Sequence, residues 1–197
     1  MTGVILCGGQ STRMQRDKGL LLSGRFTWAE RLALLLQPIC GKVLVSVNAE
    51  QDAYQSKLAG FNLVTDDGSL HIYGPLLGLL TVHRHCPEDD LFLLACDMQQ
   101  METAVLKTLL DEYHANPGFG AWVFQGTDGQ PEPLAAIYSA KSLAGVLGAH
   151  LHSPLPKHSM KYMLGNLKVF SIPIRPEWAK CFANFNSPQQ AGLIGPT

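Results

Sequence analysis

Residues 4–22 read VILCGGQSTRMQRDKGLLL. Three apolar residues, Val4-Ile5-Leu6, run into Cys7 and the pair Gly8-Gly9, and the loop that follows holds Ser11, Thr12, Arg13 and the pair Asp17-Lys18. A short apolar run bounded by glycines has the pattern of a strand buried on both faces. Downstream, Thr27 and Glu30 have the spacing of a capping box ahead of Trp28, Leu32, Leu35 and Leu36 at helical intervals. Strand, glycine-rich loop and helix together open an α/β fold.

The rest of the chain repeats the alternation. Residues 43–47 (VLVSV) predict a second strand, residues 50–59 a short helix, and residues 61–64 a third strand closed by Asp66-Asp67-Gly68. Gly74-Pro75 opens a helix carrying Leu76, Leu77, Leu79, Leu80 and Val82, because proline suits the first helical turn. Residues 91–95 (LFLLA) are apolar on both faces, as in the centre of a parallel sheet covered by helices on both sides. Met101, Val105, Leu106, Leu109, Leu110 and Tyr113 form another helical stripe. Strands follow at 120–124 and 133–138, helices at 143–151 and 159–164, and a final strand at 169–172. The expected architecture is three-layered, with a mostly parallel sheet between helices and right-handed crossovers. The turn-rich stretches 116–118 and 126–133 read as loops inside one domain spanning residues 1–197.

Composition narrows the function classes. The 197 residues are 46% hydrophobic and 16% charged, which suits a buried core rather than a disordered chain. A formal net charge of −1 without a dense Lys/Arg run offers no footprint for nucleic acid or an anionic membrane. The N-terminus has no basic segment ahead of its brief apolar run, so the expected location is cytoplasmic. Five scattered cysteines, at 7, 40, 86, 96 and 181, form no Cys-x-x-Cys pair and read as reduced thiols. His83 and His85, like His150 and His152, sit two apart, which splays them on a helix and argues against a zinc site.

Two features carry chemistry. In the first loop, glycines let backbone N–H groups approach phosphate oxygens, and Arg13 and Lys18 would neutralise a polyphosphate. Walker A, nucleophile-elbow and dinucleotide spacings are all absent there, and the plain alternative is a solvated loop with incidental charges. The second feature is Cys96-Asp97, directly after the apolar run at 91–95. A carboxylate at the end of a central parallel strand lies where open α/β sheets bind ligands. Beside a triphosphate it suits Mg²⁺, which keeps waters and takes one or two carboxylates plus phosphates; otherwise it caps the next helix.

The loop resembles the signature of the molybdenum cofactor guanylyltransferases, the MobA family, which usually reads L-A-G-G-x-S-x-R-M-G-x-D-K. The resemblance continues in Gly74-Pro75-Leu76-Leu77-Gly78 (G-P-L-x-G), Cys96-Asp97 (C-D), residues 132–138 (Q-P-L-x-A-x-Y) and residues 184–188 (N-x-N-T-P). It implies a Rossmann-like nucleotidyltransferase fold, Mg²⁺ as cofactor, and GTP and the molybdopterin-bound molybdenum cofactor as substrates. Position by position, it implies that Leu6, Cys7, Gly8, Gly9 and Ser11 line the nucleotide while Arg13 and Lys18 hold its phosphates. It further implies Mg²⁺ on Asp97, nucleotide contacts at Ser46 and Asp66, close backbone approach at Gly74 and Gly78, and a pterin site at Asn184 and Asn186. Arg13, Lys18 and Asp97 are then the catalytic set, and molybdoenzymes or other cofactor-synthesis proteins are candidate partners.

The chain departs from the family pattern at Gln15 (usually glycine), Gln99 (commonly proline), Ser46 (asparagine in some members) and Cys7 (usually alanine). Cys7 reads as a near-isosteric replacement or as a reactive thiol. Two other functions stay open: a cytidylyltransferase acting on the same pterin substrate, and a nucleotide-binding accessory protein without turnover. Trp178 and Phe182 read as core or as exposed surface for a molybdoenzyme-insertion partner, and Lys157 and His158, within residues 154–161, as phosphate contacts or as a surface turn.

Overall fold

A computed structural model describes residues 1–7, 17–48, 53–58, 60–183 and 185. Its elements are β1 (Thr2–Leu6), β2 (Leu22–Ser23), β3 (Phe26–Thr27), α1 (Trp28–Leu36), β4 (Lys42–Val47), α2 (Ala53–Lys57), β5 (Asn62–Thr65), α3 (Pro75–His85), β6 (Leu91–Ala95), α4 (Thr103–Ala115), β7 (Ala121–Gln125), β8 (Pro131–Tyr138), α5 (Ala140–His152), α6 (Met160–Leu164) and β9 (Val169–Pro173). Short 3-10 turns cover Lys18–Leu20, Gly68–Leu70 and Pro176–Phe182. Seven strands form one sheet in the order β5-β4-β1-β6-β8-β7-β9, and β2 and β3 make a small separate hairpin.

Side-chain alternation along the central strands divides the core. Ile5, Val43, Val45, Phe92 and Leu94 pack on one face under α1 and α4, with Leu32, Leu36, Val105 and Leu109. Val4, Leu6, Leu44, Leu91 and Leu93 pack on the other under α3, α5 and α6, with Leu76, Leu79, Leu143 and Met163. β1 and β6 are buried at every residue, as expected of strands covered on both faces. The chain moves outward from β1 to β4 and β5, then returns to place β6 on the free edge of β1. That reversal opens a crevice at the carboxyl ends of β1 and β6.

β8 is the antiparallel strand: it pairs with β6 and with β7 in that sense, while β9 is parallel to β7. The stretch at 126–133 is therefore a hairpin turn and the start of β8 rather than a loop throughout. Gly129, at φ 76°, and a hydrogen bond from Gly126 N–H to the Gln130 carbonyl (2.9 Å) turn the chain back on itself. Trp178 and Phe182 are half-buried against Phe124, at ring-centroid distances of 6.1 and 4.9 Å, so they belong to the core periphery and do not form a free aromatic surface.

The predicted capping box forms. Thr27 Oγ1 accepts from Glu30 N–H at 3.2 Å, and Glu30 Oε2 accepts from Thr27 N–H at 2.7 Å. Thr27→Ala is expected to cost about 1 kcal/mol, read as a fall of about 2–4 °C in Tm by calorimetry.

Candidate functional site

Leu6 and Ala95 are register partners at the ends of β1 and β6. Beyond them the ladder continues for one residue on each side of β1: Cys96 N–H donates to the Leu6 carbonyl at 3.1 Å, and Cys7 N–H donates to the Ser46 carbonyl at 2.9 Å. Asp97 emerges at the top of β6, and its Oδ2 lies 2.9 Å from Lys18 Nζ. The two side chains are 17% and 19% exposed, so this pair is less screened than one on the open surface. Two of the three catalytic residues expected from the sequence thus meet. The third, Arg13, lies outside the described residues, as do Gly8, Gly9, Ser11, Gln15, Asn184 and Asn186.

A residue missed by the sequence reading sets the position of Lys18. Tyr54, fully buried on α2, donates its hydroxyl to Asp17 Oδ1 at 2.5 Å. The same oxygen accepts from Gly19 N–H at 3.2 Å, pinning the backbone on both sides of Lys18. Gly19 is what makes room, since a Cβ there would lie 2.0 Å from the Tyr54 hydroxyl and 2.9 Å from Cys7 Sγ. Burial, followed by the neighbouring Cys7 and Cys96 and then Asp17, pushes the Tyr54 phenol far up, so it stays a donor. No sequence motif marks Tyr54; a lone tyrosine on a five-residue helix carries no signal without its partner.

The thiols are packing groups. Cys7 is buried against Gly19. Cys96 is buried and its thiol is pushed well above the usual range by its hydrogen bond with Cys7, by burial and by nearby negative charge. A raised thiol is a poor nucleophile, which favours packing for Cys96; Cys7 is buried against Gly19 and Cys96.

On the β4–β5 side, Ser46 donates to Asp66 Oδ1 at 3.1 Å. Ser46 is fully buried, so its contribution runs through the placement of Asp66. Gly78, in the first turns of α3, closes over both. A Cβ there would come within 2.7 Å of Ser46 Oγ, 2.9 Å of Leu6 and 3.4 Å of Asp66. Gly74 supports the close approach by adopting φ 69° just before Pro75. Leu6, Ser46, Asp66 and Gly78 therefore form one contiguous wall beside the crevice.

The departure at Gln99 has a physical role. Its side chain is buried, and Nε2 donates to the Cys96 carbonyl at 2.7 Å and the Trp28 carbonyl at 3.2 Å. Through Nε2 the amide thus ties the Asp97 turn to the start of α1, while its buried Oε1 finds no partner among the described residues. From the opposite end of the chain, Phe185 N–H donates to the Asp97 carbonyl at 3.3 Å, and its ring packs edge-on to Trp28 with centroids 6.1 Å apart. Phe185, the described residue of the N-x-N-S-P stretch, therefore lies beside Asp97.

Among the described residues, no group of three or more His, Cys, Asp or Glu could hold a metal ion by itself. Asp97 alone offers the single carboxylate that a hard divalent cation can take alongside other oxygen ligands. None of the described helices is long and apolar enough to cross a membrane.

Comparisons with known proteins point one way. Residues 3–164 match the family model described as the MobA-like NTP transferase domain. A probable molybdenum cofactor guanylyltransferase of Flavobacterium johnsoniae is 30% identical over 144 residues, covering 73% of this chain and 70% of the relative. A molybdenum cofactor guanylyltransferase of Shewanella halifaxensis is 26% identical over 193 residues, covering 98% and 92%. The crystal structure of molybdopterin-guanine dinucleotide biosynthesis protein A from Archaeoglobus fulgidus shares the fold with a TM-score of 0.77 at 21% identity, covering 98% and 96%.

Two outcomes follow from the geometry. Tyr54→Phe removes a hydrogen bond to Asp17 and is expected to cost about 1.5–3 kcal/mol in denaturant unfolding. Burial raises the Asp66 carboxyl from 3.8 to about 6, partly offset by the Ser46 hydrogen bond. The folded state therefore keeps a proton that the unfolded chain releases, and this group's contribution to stability falls as pH rises from about 4 to 6. Asp66→Asn should gain Tm relative to the parent over that interval; a pH-independent difference would contradict the buried-carboxyl account.

Proposed function

The chain belongs to the MobA-like NTP transferase family and is thereby a nucleotidyltransferase, and we propose that it transfers GMP from GTP to the terminal phosphate of the molybdopterin-bound molybdenum cofactor. The observation that carries the reading is the meeting of Lys18 and Asp97 at the end of β6, beside the point where the strand order reverses. The names of the relatives supply the substrates.

In this reading residues 1–197 work as one catalytic unit. Leu6, Cys7, Ser46, Asp66, Gly74 and Gly78 frame the nucleoside; Gly8, Gly9 and Ser11 line the phosphates with Arg13 and Lys18; Asn184 and Asn186, on either side of Phe185, face the pterin. An acceptor phosphate oxygen attacks the α-phosphorus of GTP, the bond from that phosphorus to the β-phosphate oxygen breaks, and pyrophosphate leaves. The nucleophile is already anionic, so no general base and no covalent enzyme intermediate are needed. Lys18 and Arg13 stabilise charge on the departing pyrophosphate, and the rest of the work is positioning. Asp97 would hold Mg²⁺, which supplies neutralisation of the phosphate oxygens. With an ion held by Asp97, the Lys18 ammonium would face phosphate in place of that carboxylate.

A thermal-shift titration with GTP, CTP and ATP, each with and without Mg²⁺, tests the nucleotide. Mg²⁺-dependent stabilisation by GTP near 100 times its Kd should reach about 2.7 kcal/mol, a shift of roughly 5–10 °C. Preference for CTP would instead favour the cytidylyl reading, and nucleotide binding without pyrophosphate release on adding the pterin acceptor would favour the accessory reading. Lys18→Ala and Asp97→Ala are each expected to lose about 100-fold or more in pyrophosphate release while the far-UV spectrum stays native; undiminished rates would overturn their roles.

A further inference from the structure

Arg31, on α1, carries a guanidinium that the fold buries in part without pairing it. Its Nη1 is buried and has no hydrogen-bond partner among the described residues, and burial pulls the group below its ordinary pKa. Glu30 is the sole Asp or Glu between residues 18 and 48, and its Oε2 is committed to the Thr27 N–H in the capping box. The ion pairs among the described residues join Lys18 to Asp97, Arg84 to Asp67 and Lys180 to Glu102, and leave Arg31 out. A buried cation without a counter-charge is destabilising, so the fold itself gives no reason for a guanidinium here.

Arg31 lines a cavity of 620 Å³ between α1 and the tip of the β2–β3 hairpin, residues 23–26, together with Leu34 and Leu35. The hairpin is shaped to hold a second guanidinium at the same place. Gly24, at φ 61°, takes the first central position of the turn between the paired residues Ser23 and Phe26, a backbone that favours glycine. Arg25 follows, and its guanidinium carbon lies 4.8 Å from the centre of the Phe26 ring. Two arginines thus line one cavity that has no carboxylate among its lining residues. The other large walls are apolar: Phe26, Leu35, and Leu34, which is 40% exposed. Leu22 and Thr27, the other cross-strand pair, line a separate cavity with Asp17, the neighbour of Lys18. The arginine cavity therefore lies on the face of the hairpin turned away from the candidate active site.

Its chemistry is specific. A guanidinium forks onto a carboxylate through two parallel hydrogen bonds, and arginines set among aromatic and aliphatic side chains are characteristic of the centres of protein interfaces. A small inorganic anion would satisfy the charges and leave Phe26 and the leucines uncovered, whereas an acidic side chain beside a large apolar one covers both. We propose that this groove docks a segment of a partner protein in which an Asp or Glu stands next to Leu, Ile or Phe, with the carboxylate bonded by Arg31 and Arg25 and the apolar neighbour seated on Leu34 and Leu35. β2 begins two residues after the turn at Lys18–Leu20, so the docked segment grips the stretch of chain that leads from Lys18 into α1. The proposal is independent of which nucleotide the active site takes.

The test selects a randomised peptide library, displayed on phage, on the parent protein, and then titrates fluorescein-labelled copies of the enriched peptides by anisotropy at physiological salt. Enriched sequences should pair an acidic residue with a large apolar one. Arg31→Met and Arg25→Ala should each weaken binding about tenfold or more, as should changing the acidic residue of the peptide to its amide. Arg31→Met is also expected to raise the Tm of the free protein, because it removes an uncompensated charge and keeps an apolar stem, so lost binding in that variant is not lost folding. Failure to enrich any peptide, enrichment of peptides without Asp or Glu, or equal binding by the parent and Arg31→Met would overturn the docking site. A fall in Tm for Arg31→Met would do so too, since Arg31 would then serve the fold. Arg31-dependent stabilisation by inorganic phosphate in place of peptide binding would make the cavity a small-anion site, and Arg31-dependent self-association in sedimentation would put a second copy of the chain there; either result replaces the proposal.

Discussion

Everything at the site depends on β1 being hydrogen-bonded along both edges by parallel neighbours. β4 occupies one edge and β6 the other, so three strand ends finish at the same level. Parallel pairing requires crossover helices, and those helices bury the strands on both faces. The apolar runs that satisfy this burial end near where the ladder ends, and there the first polar side chains appear: Ser46 in β4 and Asp97 after β6. A rigid apolar frame therefore presents polar side chains at one rim, with little freedom to misplace them.

The Lys18–Asp97 contact is held from behind by neutral packing and hydrogen bonding more than by charge. Asp17 accepts from Tyr54 and Gly19, Gln99 braces the turn after β6, and Phe185 closes from the chain's far end. Such supports fix the geometry of charged groups before any phosphate arrives, which is the condition for electrostatic stabilisation without reorganisation. The ion pair leaves each charge with a partner of opposite sign in a half-buried setting.

The family departures also become local physical statements. Gln99 replaces a proline by two side-chain hydrogen bonds, and Ser46 reaches a carboxylate from a buried position where a longer amide would meet Gly78. Cys7 fills a small space beside Gly19 that alanine would leave partly open. Ser46 and Cys7 are matched by their described neighbours, and Gln99 by the two bonds its Nε2 makes.

Local pattern alone determined the order of the main-sheet strands and the helices, the capping box of α1, the buried character of β1 and β6, and the candidacy of Lys18 and Asp97, because burial periodicity and strand-end chemistry are written in consecutive residues; the small β2–β3 hairpin was not read from it. The hairpin at Asp128-Gly129 was legible in principle, since that dipeptide favours the backbone of a tight reversal. Its consequence, the insertion of β8 antiparallel between β6 and β7, depends on which edge is free when the hairpin docks. The tertiary structure alone decided the Tyr54–Asp17 bond, the stapling of residues 70 and 155 by His150, and the pairing of Tyr73 with His158. Each joins groups far apart in sequence whose residue types are unremarkable by themselves, and only packing of the helices onto a common sheet brings such groups within hydrogen-bonding or stacking distance.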